Sequence, residues 1–306
     1  MHNIKRRFAG AALSSIFLCT NLLAQHHGDP RQQWQEKYPS EIARLEAMTA
    51  FPISAWQYHD ADISHGEDPS LDDSAWQTTT LTYSERRVSE LGPGADQAWY
   101  RTTFKVPSTV GEKDISGARL KLAVRFSKDG RVFLNGGLVA QGDGRTLDPI
   151  LITNKAVAGQ EIQIAIKVPF HEEQSRFLGA RIVVDYPGQP DPGVLRSEIQ
   201  TAEALISGFP DGKEEREKQV DKAVKDIDFA ALDKADQAAF KHSLETANSD
   251  LEPLNAWMKQ YTVRLVGNAH IDMAWLWPWT ETVEVVRDTF ATALQLMNEY
   301  PHFTYT

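Results

Sequence analysis

The chain has 306 residues, 42% of them hydrophobic and 24% charged, an ordinary globular composition with room for two domains. Its formal net charge of -10 argues against a nucleic-acid backbone as partner, because that binding relies on clustered Lys and Arg. Cys19 is the single cysteine, so a mature protein without its leader would hold neither disulfides nor thiolate metal sites.

Lys5, Arg6 and Arg7 precede an apolar segment, Phe8 to Leu18, and small or apolar residues continue to Ala24. Residues 1–24 therefore read as a secretory signal peptide. A membrane anchor needs roughly twenty uninterrupted apolar residues, and Thr20 and Asn21 interrupt the run. A lipoprotein reading at Cys19 meets Leu18 where a small residue is expected. The expected location is outside the cytoplasm, in a bacterial periplasm or the extracellular space.

Residues 25–51 form a helical lead-in: Trp34, Tyr38, Ile42, Leu45 and Met48 keep helical spacing across Pro39. From residue 52 to 187 the period shortens. Trp99 to Pro107, Leu120 to Phe126, Ile162 to Val168 and Arg181 to Tyr186 alternate as strands, while Lys128-Asp129-Gly130 and Asn135-Gly136 are turn signals around Val132-Phe133-Leu134. Several short strands separated by turns predict a β-sandwich. Trp56, Trp76 and Trp99 suit either a core or a sugar-stacking platform, with the core the default for large aromatics. Asp60, Asp62, Asp68, Asp72 and Asp73 carry hard oxygen donors but lack the spacing of a calcium loop, so a solvated acidic loop is expected.

Asp72-Asp73-Ser74-Ala75-Trp76, then Trp99-Tyr100-Arg101, then Asp129-Gly130 and Phe133-Leu134-Asn135-Gly136 follow one another in an order that resembles the galactose-binding-like jelly rolls appended to many glycosidases. The resemblance implies a module that binds sugar or braces a catalytic domain. Residues 188–260 then form a helical linker. Leu195, Ile199, Ala202 and Ile206 mark one helix, Val220, Val224 and Ile227 a second, and Phe240 to Met258 a third that Pro253 is expected to kink or divide.

Residues 261–306 hold the chemistry. Val263, Leu265 and Val266 read as a buried strand closed by Gly267 and Asn268, and Val283, Val286, Phe290, Leu294 and Met297 as one helical stripe, with Thr280 as N-cap and Pro301 as stop. His270 and Asp272 lie between strand and helix. Residues i and i+2 of an extended chain point to one side, so an imidazole nitrogen and a carboxylate oxygen can reach one cation. Zinc accepts that mixture, though a catalytic site takes about three protein ligands. Taken alone, the pair equally suits a structural histidine beside a turn-capping aspartate. His26, His27, His59, His65, His171, His242 and His302 stand in no such motif and are assigned surface or capping roles.

Gly267-Asn268-Ala269-His270-Ile271-Asp272-Met273-Ala274-Trp275-Leu276-Trp277-Pro278, with Glu281 and Thr292 to Met297, resembles the opening of the catalytic domain of family 38 α-mannosidases. Met273 departs from the family pattern, in which a smaller residue or Pro is commoner. The resemblance implies the first β/α unit of an irregular β/α barrel and retaining exo-hydrolysis of terminal α-mannosides of glycans. It implies one divalent metal, zinc, held in part by His270 and Asp272, with Trp275 against the sugar. It places the nucleophile, the acid/base and the remaining ligands downstream of Thr306. The expectation is therefore the N-terminal portion of an exported α-mannosidase, incomplete in its barrel and with little hydrolysis by this chain alone. The alternative is a non-catalytic carbohydrate-binding or scaffold protein in which the sandwich is the working part.

Overall fold

The computed structural model describes residues 36–81, 83, 98–126, 129–143, 147–169, 177–209, 211–262, 266–268, 270–272 and 278–305. The expected leader over Met1 to Ala24, Trp34, the expected strand residues Val263 and Leu265, and Trp275 lie outside them. The chain divides into two compact units, the second beginning at Asn255.

In the first unit, helix α1 (Pro39–Ala47) buries Ile42 and Leu45 and leads, among the described residues, into twelve strands. These are β1 (Ala50–Ile53), β2 (Ala55–His59), β3 (Gln77–Thr80), β4 (Ala98–Lys105), β5 (Thr109–Val110), β6 (Lys113–Asp114), β7 (Arg119–Phe126), β8 (Asp129–Leu134), β9 (Gly137–Asp143), β10 (Ile150–Thr153), β11 (Glu161–Val168) and β12 (Phe177–Asp185). One sheet has the order β1-β12-β7-β10, the other β3-β2-β4-β11-β8-β9, and β5 and β6 form a separate pair. All the pairings between these strands are antiparallel.

Period-two alternation decides which side chains meet. Tyr100 and Phe104 of β4, Leu120, Leu122, Val124 and Phe126 of β7, Ile162, Ile164 and Ile166 of β11, and Ile182 and Val184 of β12 join one core drawn from both sheets. The architecture is thus a β-sandwich. Phe177 is its aromatic hub, with ring centroids 4.9 Å from Trp56, 5.1 Å from Tyr100 and 5.8 Å from Phe126. Asn135 (φ 48°) and Gly136 (φ 82°) make the two-residue turn between β8 and β9 that their sequence predicts. Asp129-Gly130 is not a turn but the start of β8. Glycine is required there because a Cβ at Gly130 would lie 2.3 Å from the Phe126 ring.

The other face of the six-stranded sheet is covered by the chain from Asp60 to Trp76. Trp99, Phe133 and Ala165 form a second buried cluster with Ile63 and Trp76 packed on it. Trp56 and Trp99 are therefore core residues, and Trp76 is half-buried against the second cluster. Arg101, also on this face, is 2% exposed and pins the covering segment. Its Nε donates to Asp73 at 2.7 Å, its terminal nitrogens to the carbonyls of Gly66 and Leu71, and with its amide oxygen turned inward Gln163 accepts from both at 3.2 Å.

Three further aspartates of the segment are likewise engaged. Asp68 accepts from the backbone and hydroxyl of Ser70, Asp72 from the backbone of Ser74, and Asp62 from Lys167.

Beyond the sandwich come α2 (Pro192–Gly208), α3 (Lys213–Lys225), α4 (Phe229–Asp233) and α5 (Gln237–Met258). Asp191 caps α2 by accepting from the amides of Gly193 at 2.8 Å and Val194 at 3.3 Å, and Pro192 supplies its first turn. Leu195, Ile199, Ala202 and Ile206 are buried at the predicted spacing. Pro253 neither divides nor ends α5, which runs unbroken to Met258. The short α4 was not anticipated; Asp228 caps it through the Ala231 amide.

In the second unit, α6 (Trp279–Glu299) starts one residue before the expected N-cap. Pro278, already extended, presents its carbonyl to the amides of Glu281 at 3.1 Å and Thr282 at 3.3 Å, so Thr280 lies inside the helix. The expected apolar stripe is not its covered face. Val283, Phe290, Leu294 and Met297 are exposed, while Thr282 and Ala293 are buried and Val286, Thr289 and Leu296 half-buried.

Candidate functional site

Tyr300, Pro301 and His302 turn the chain after α6, and Phe303 to Tyr305 return beside Gly267. The Gly267 amide donates to the Thr304 carbonyl at 2.7 Å, and Gly267 and Tyr305 form a parallel bridge. A Cβ at position 267 would meet Phe303 and Tyr305 at 3.1 Å, a tight contact that glycine avoids. Two parallel segments joined through a helix are the connection of α/β folds, since a hairpin cannot make it. The described part of the predicted strand contributes this one bridge.

After the bridge, His270 and Asp272 stand two residues apart in chain without regular secondary structure. The His270 Nε2 lies 2.9 Å from the Asp272 Oδ1, so the imidazole and carboxylate meet as their spacing implied. Neither is a core residue: the side chains are 85% and 41% exposed. That removes the reading of His270 as a satisfied core histidine and leaves an open polar pair facing water. Among the described residues, no group of three or more His, Cys, Asp or Glu comes together to hold a metal. Trp275, the third residue singled out, lies outside the described residues.

An imidazole nitrogen and a carboxylate oxygen are ligands that zinc takes at about 2.0–2.2 Å. The donor set therefore fits a zinc ion in kind and supplies two ligands. The hydrogen bond between the two groups must open for both to turn to a cation.

Residues 260–306 match the family model described as the glycosyl hydrolases family 38 N-terminal domain. Through this segment the chain is similar to glycosyl hydrolase family 38. The chain is 48% identical to human Alpha-mannosidase 2C1 over 46 residues, which is 15% of this chain and 4% of that protein. Alpha-mannosidase G of Dictyostelium discoideum is 23% identical over 248 residues, 74% of this chain and 22% of that protein. The chain thus spans less than a quarter of the length of either relative. Among solved structures, a glycosyl hydrolase family 2 member from Bacteroides cellulosilyticus covers 45% of this chain and 21% of its own, at 22% identity and a TM-score of 0.33. A Bacteroides uniformis beta-glucuronidase covers 44% and 18%, at 16% identity and a TM-score of 0.35. The sandwich rests on its own sheets and core, described above.

Proposed function

We propose that residues 260–306 open the catalytic domain of an exported, zinc-dependent α-mannosidase that removes terminal α-mannosides from glycans with retention. The reading is carried by one observation: a segment of family 38 sequence presents His270 and Asp272 as an exposed nitrogen–oxygen pair 2.9 Å apart. In this reading the two side chains hold zinc and Trp275 borders the sugar. The metal would supply Lewis-acid orientation of sugar hydroxyls around an oxocarbenium-like transition state. Before metal arrives, the hydrogen bond between Asp272 and the ring fixes where His270 points, and binding displaces any Nε2 proton. Retention further requires a nucleophilic carboxylate and a separate carboxylic acid, and Asp272, a single carboxylate engaged at the metal, cannot supply both. The proposal includes a leader over residues 1–24, a galactose-binding-like jelly roll over 52–187 and a helical connector over 188–260.

The test is competition for zinc against a chromophoric chelator, with the protein compared to His270→Ala and Asp272→Ala. Loss of zinc binding in both variants is expected. Binding that survives both substitutions would overturn the ligand assignment. Hydrolysis of an aryl α-mannoside that chelation suppresses and zinc restores would extend the reading to activity.

A further inference from the structure

We propose that the outer face of the six-stranded sheet carries a binding site for one neutral hexopyranose unit of a glycan. A cavity of about 520 Å³ opens there, lined by Asp62, Ile63, Ser64, His65, Glu67, Trp99, Arg131, Phe133, Leu138 and Lys167. Small-molecule sites span about 300–1,000 Å³, so the space suits a sugar ring. The site lies wholly within the first unit and does not depend on the His270–Asp272 pair.

Strand register builds it. Lys167 of β11 is paired with Trp99 of β4 on one side and Arg131 of β8 on the other, so these three stand in one row across the sheet. The adjacent row holds Arg101, Ala165 and Phe133. Trp99 and Phe133, with centroids 5.6 Å apart, form the floor. Lys167 Nζ lies 5.3 Å above the Trp99 ring and donates to Asp62 at 2.5 Å. The wall is the segment that Arg101 pins, and a Cβ at Gly66 would strike the indole at 2.5 Å, so backbone and ring are in close contact. His65 takes a left-handed backbone (φ 56°), a conformation uncommon outside glycine that the pinned segment imposes, with its Nδ1 3.6 Å from Glu67.

The lining selects the ligand class. The carboxylates Asp62 and Glu67 balance the cations Arg131 and Lys167, so these four groups together favour neither anions nor cations. Carboxylates accept from hydroxyls while ammonium and guanidinium groups donate to them, and vicinal sugar hydroxyls need both. Leu138, 53% exposed, and the edge of Phe133 offer the apolar contact that the C–H face of a pyranose takes. The Trp99 Nε1 is buried and, though close enough to help hold the Asp62 carboxyl below the usual range, lies outside hydrogen-bonding geometry. It is an indole donor still without an acceptor in good geometry. Lys167 is the first cause of that lowering, so Asp62 stays ionised and accepting. A wall already ordered by Arg101 lowers the entropy cost of binding.

The experiment titrates methyl α-D-mannopyranoside, other neutral methyl hexopyranosides and sodium glucuronate into the protein, observed by heat and by ligand-detected NMR. The comparison uses Arg131→Ala and Glu67→Gln, each with its melting temperature, and the titration is run with and without a metal chelator. At least one neutral glycoside should bind, and each variant should weaken it by about tenfold, the loss of one charge-assisted hydrogen bond, with folding intact. The chelator should leave this binding unchanged. No neutral glycoside bound, a preference for glucuronate, or binding that the chelator abolishes and Arg131→Ala leaves intact would each overturn the proposal. None of these results bears on zinc binding, so the two sites are judged separately.

Discussion

Arg101 donates to Asp73 at 2.7 Å from a position of almost complete burial, and the pair joins the sheet to the segment that covers it. The carboxylate side is 31% exposed, so the two ends are unequal. Arg101→Ala removes the ion pair, two carbonyl bonds and the packed stem, and is expected to cost about 3–5 kcal/mol. Asp73→Ala leaves the guanidinium its carbonyl partners and is expected to cost about 1–3 kcal/mol. Urea unfolding of both variants checks the order; equal or reversed costs would remove Arg101 from its central place.

Glu203 on α2 makes the pH dependence of stability readable. Burial pushes its carboxyl up to about 7, Glu36 and Asp221 push the same way, and the Lys37 amide and ammonium oppose them. One carboxyl oxygen accepts from the Lys37 amide at 3.1 Å; the other is buried without a partner. Between the unfolded value and about 7, the folded state keeps a proton that the unfolded state releases. This contribution is therefore full below the unfolded value and is lost as pH rises through about 7. Melting temperatures across about pH 5–8 should fall less steeply in Glu203→Gln, which should also melt higher than the parent at the alkaline end. An unchanged slope would mean that other groups govern it.

Gly130 sits against Phe126 so closely that an added methyl must displace a core ring. Gly130→Ala is expected to destabilise by about 1–3 kcal/mol, as overpacking does. Gly159→Ala is the control. Position 159 has a left-handed backbone (φ 82°) but open space around its Cβ, so its cost comes from conformation alone. Relieving Gly130→Ala with Phe126→Leu should recover part of the loss, and failure to do so would locate the strain elsewhere.

Phe290, Leu294 and Met297 form an exposed apolar ridge on α6. Contiguous apolar surface of this kind promotes association. Phe290→Lys with Leu294→Glu should lower concentration-dependent light scattering while leaving helix content unchanged; scattering equal to the parent would put the sticky surface elsewhere.

The sandwich was legible because β4, β7, β11 and β12 each face two different environments, which writes a period of two into the sequence. The pair His270 and Asp272 was legible for a similar reason, two residues on one side of extended chain. The face of α6 was misread because the apolar residues that set the period are not those that the second unit covers; Thr282 and Ala293 fit there by being small. The cavity left no linear signal. Trp99, Arg131 and Lys167 come from three strands and become neighbours only through register, while Glu67 and His65 arrive on a segment held by Arg101, two of whose partners are backbone carbonyls.

The parallel bridge at Gly267 has a consequence for the order in which the second unit assembles. Its two partners lie about forty residues apart, and closing so long a loop opposes early contact between them. α6 needs only local bonds and can form first, shortening the path between the ends it carries. The Gly267 amide should then gain protection from hydrogen exchange after the α6 amides, and the chain that presents His270 and Asp272 would be the last part of this unit to become fixed.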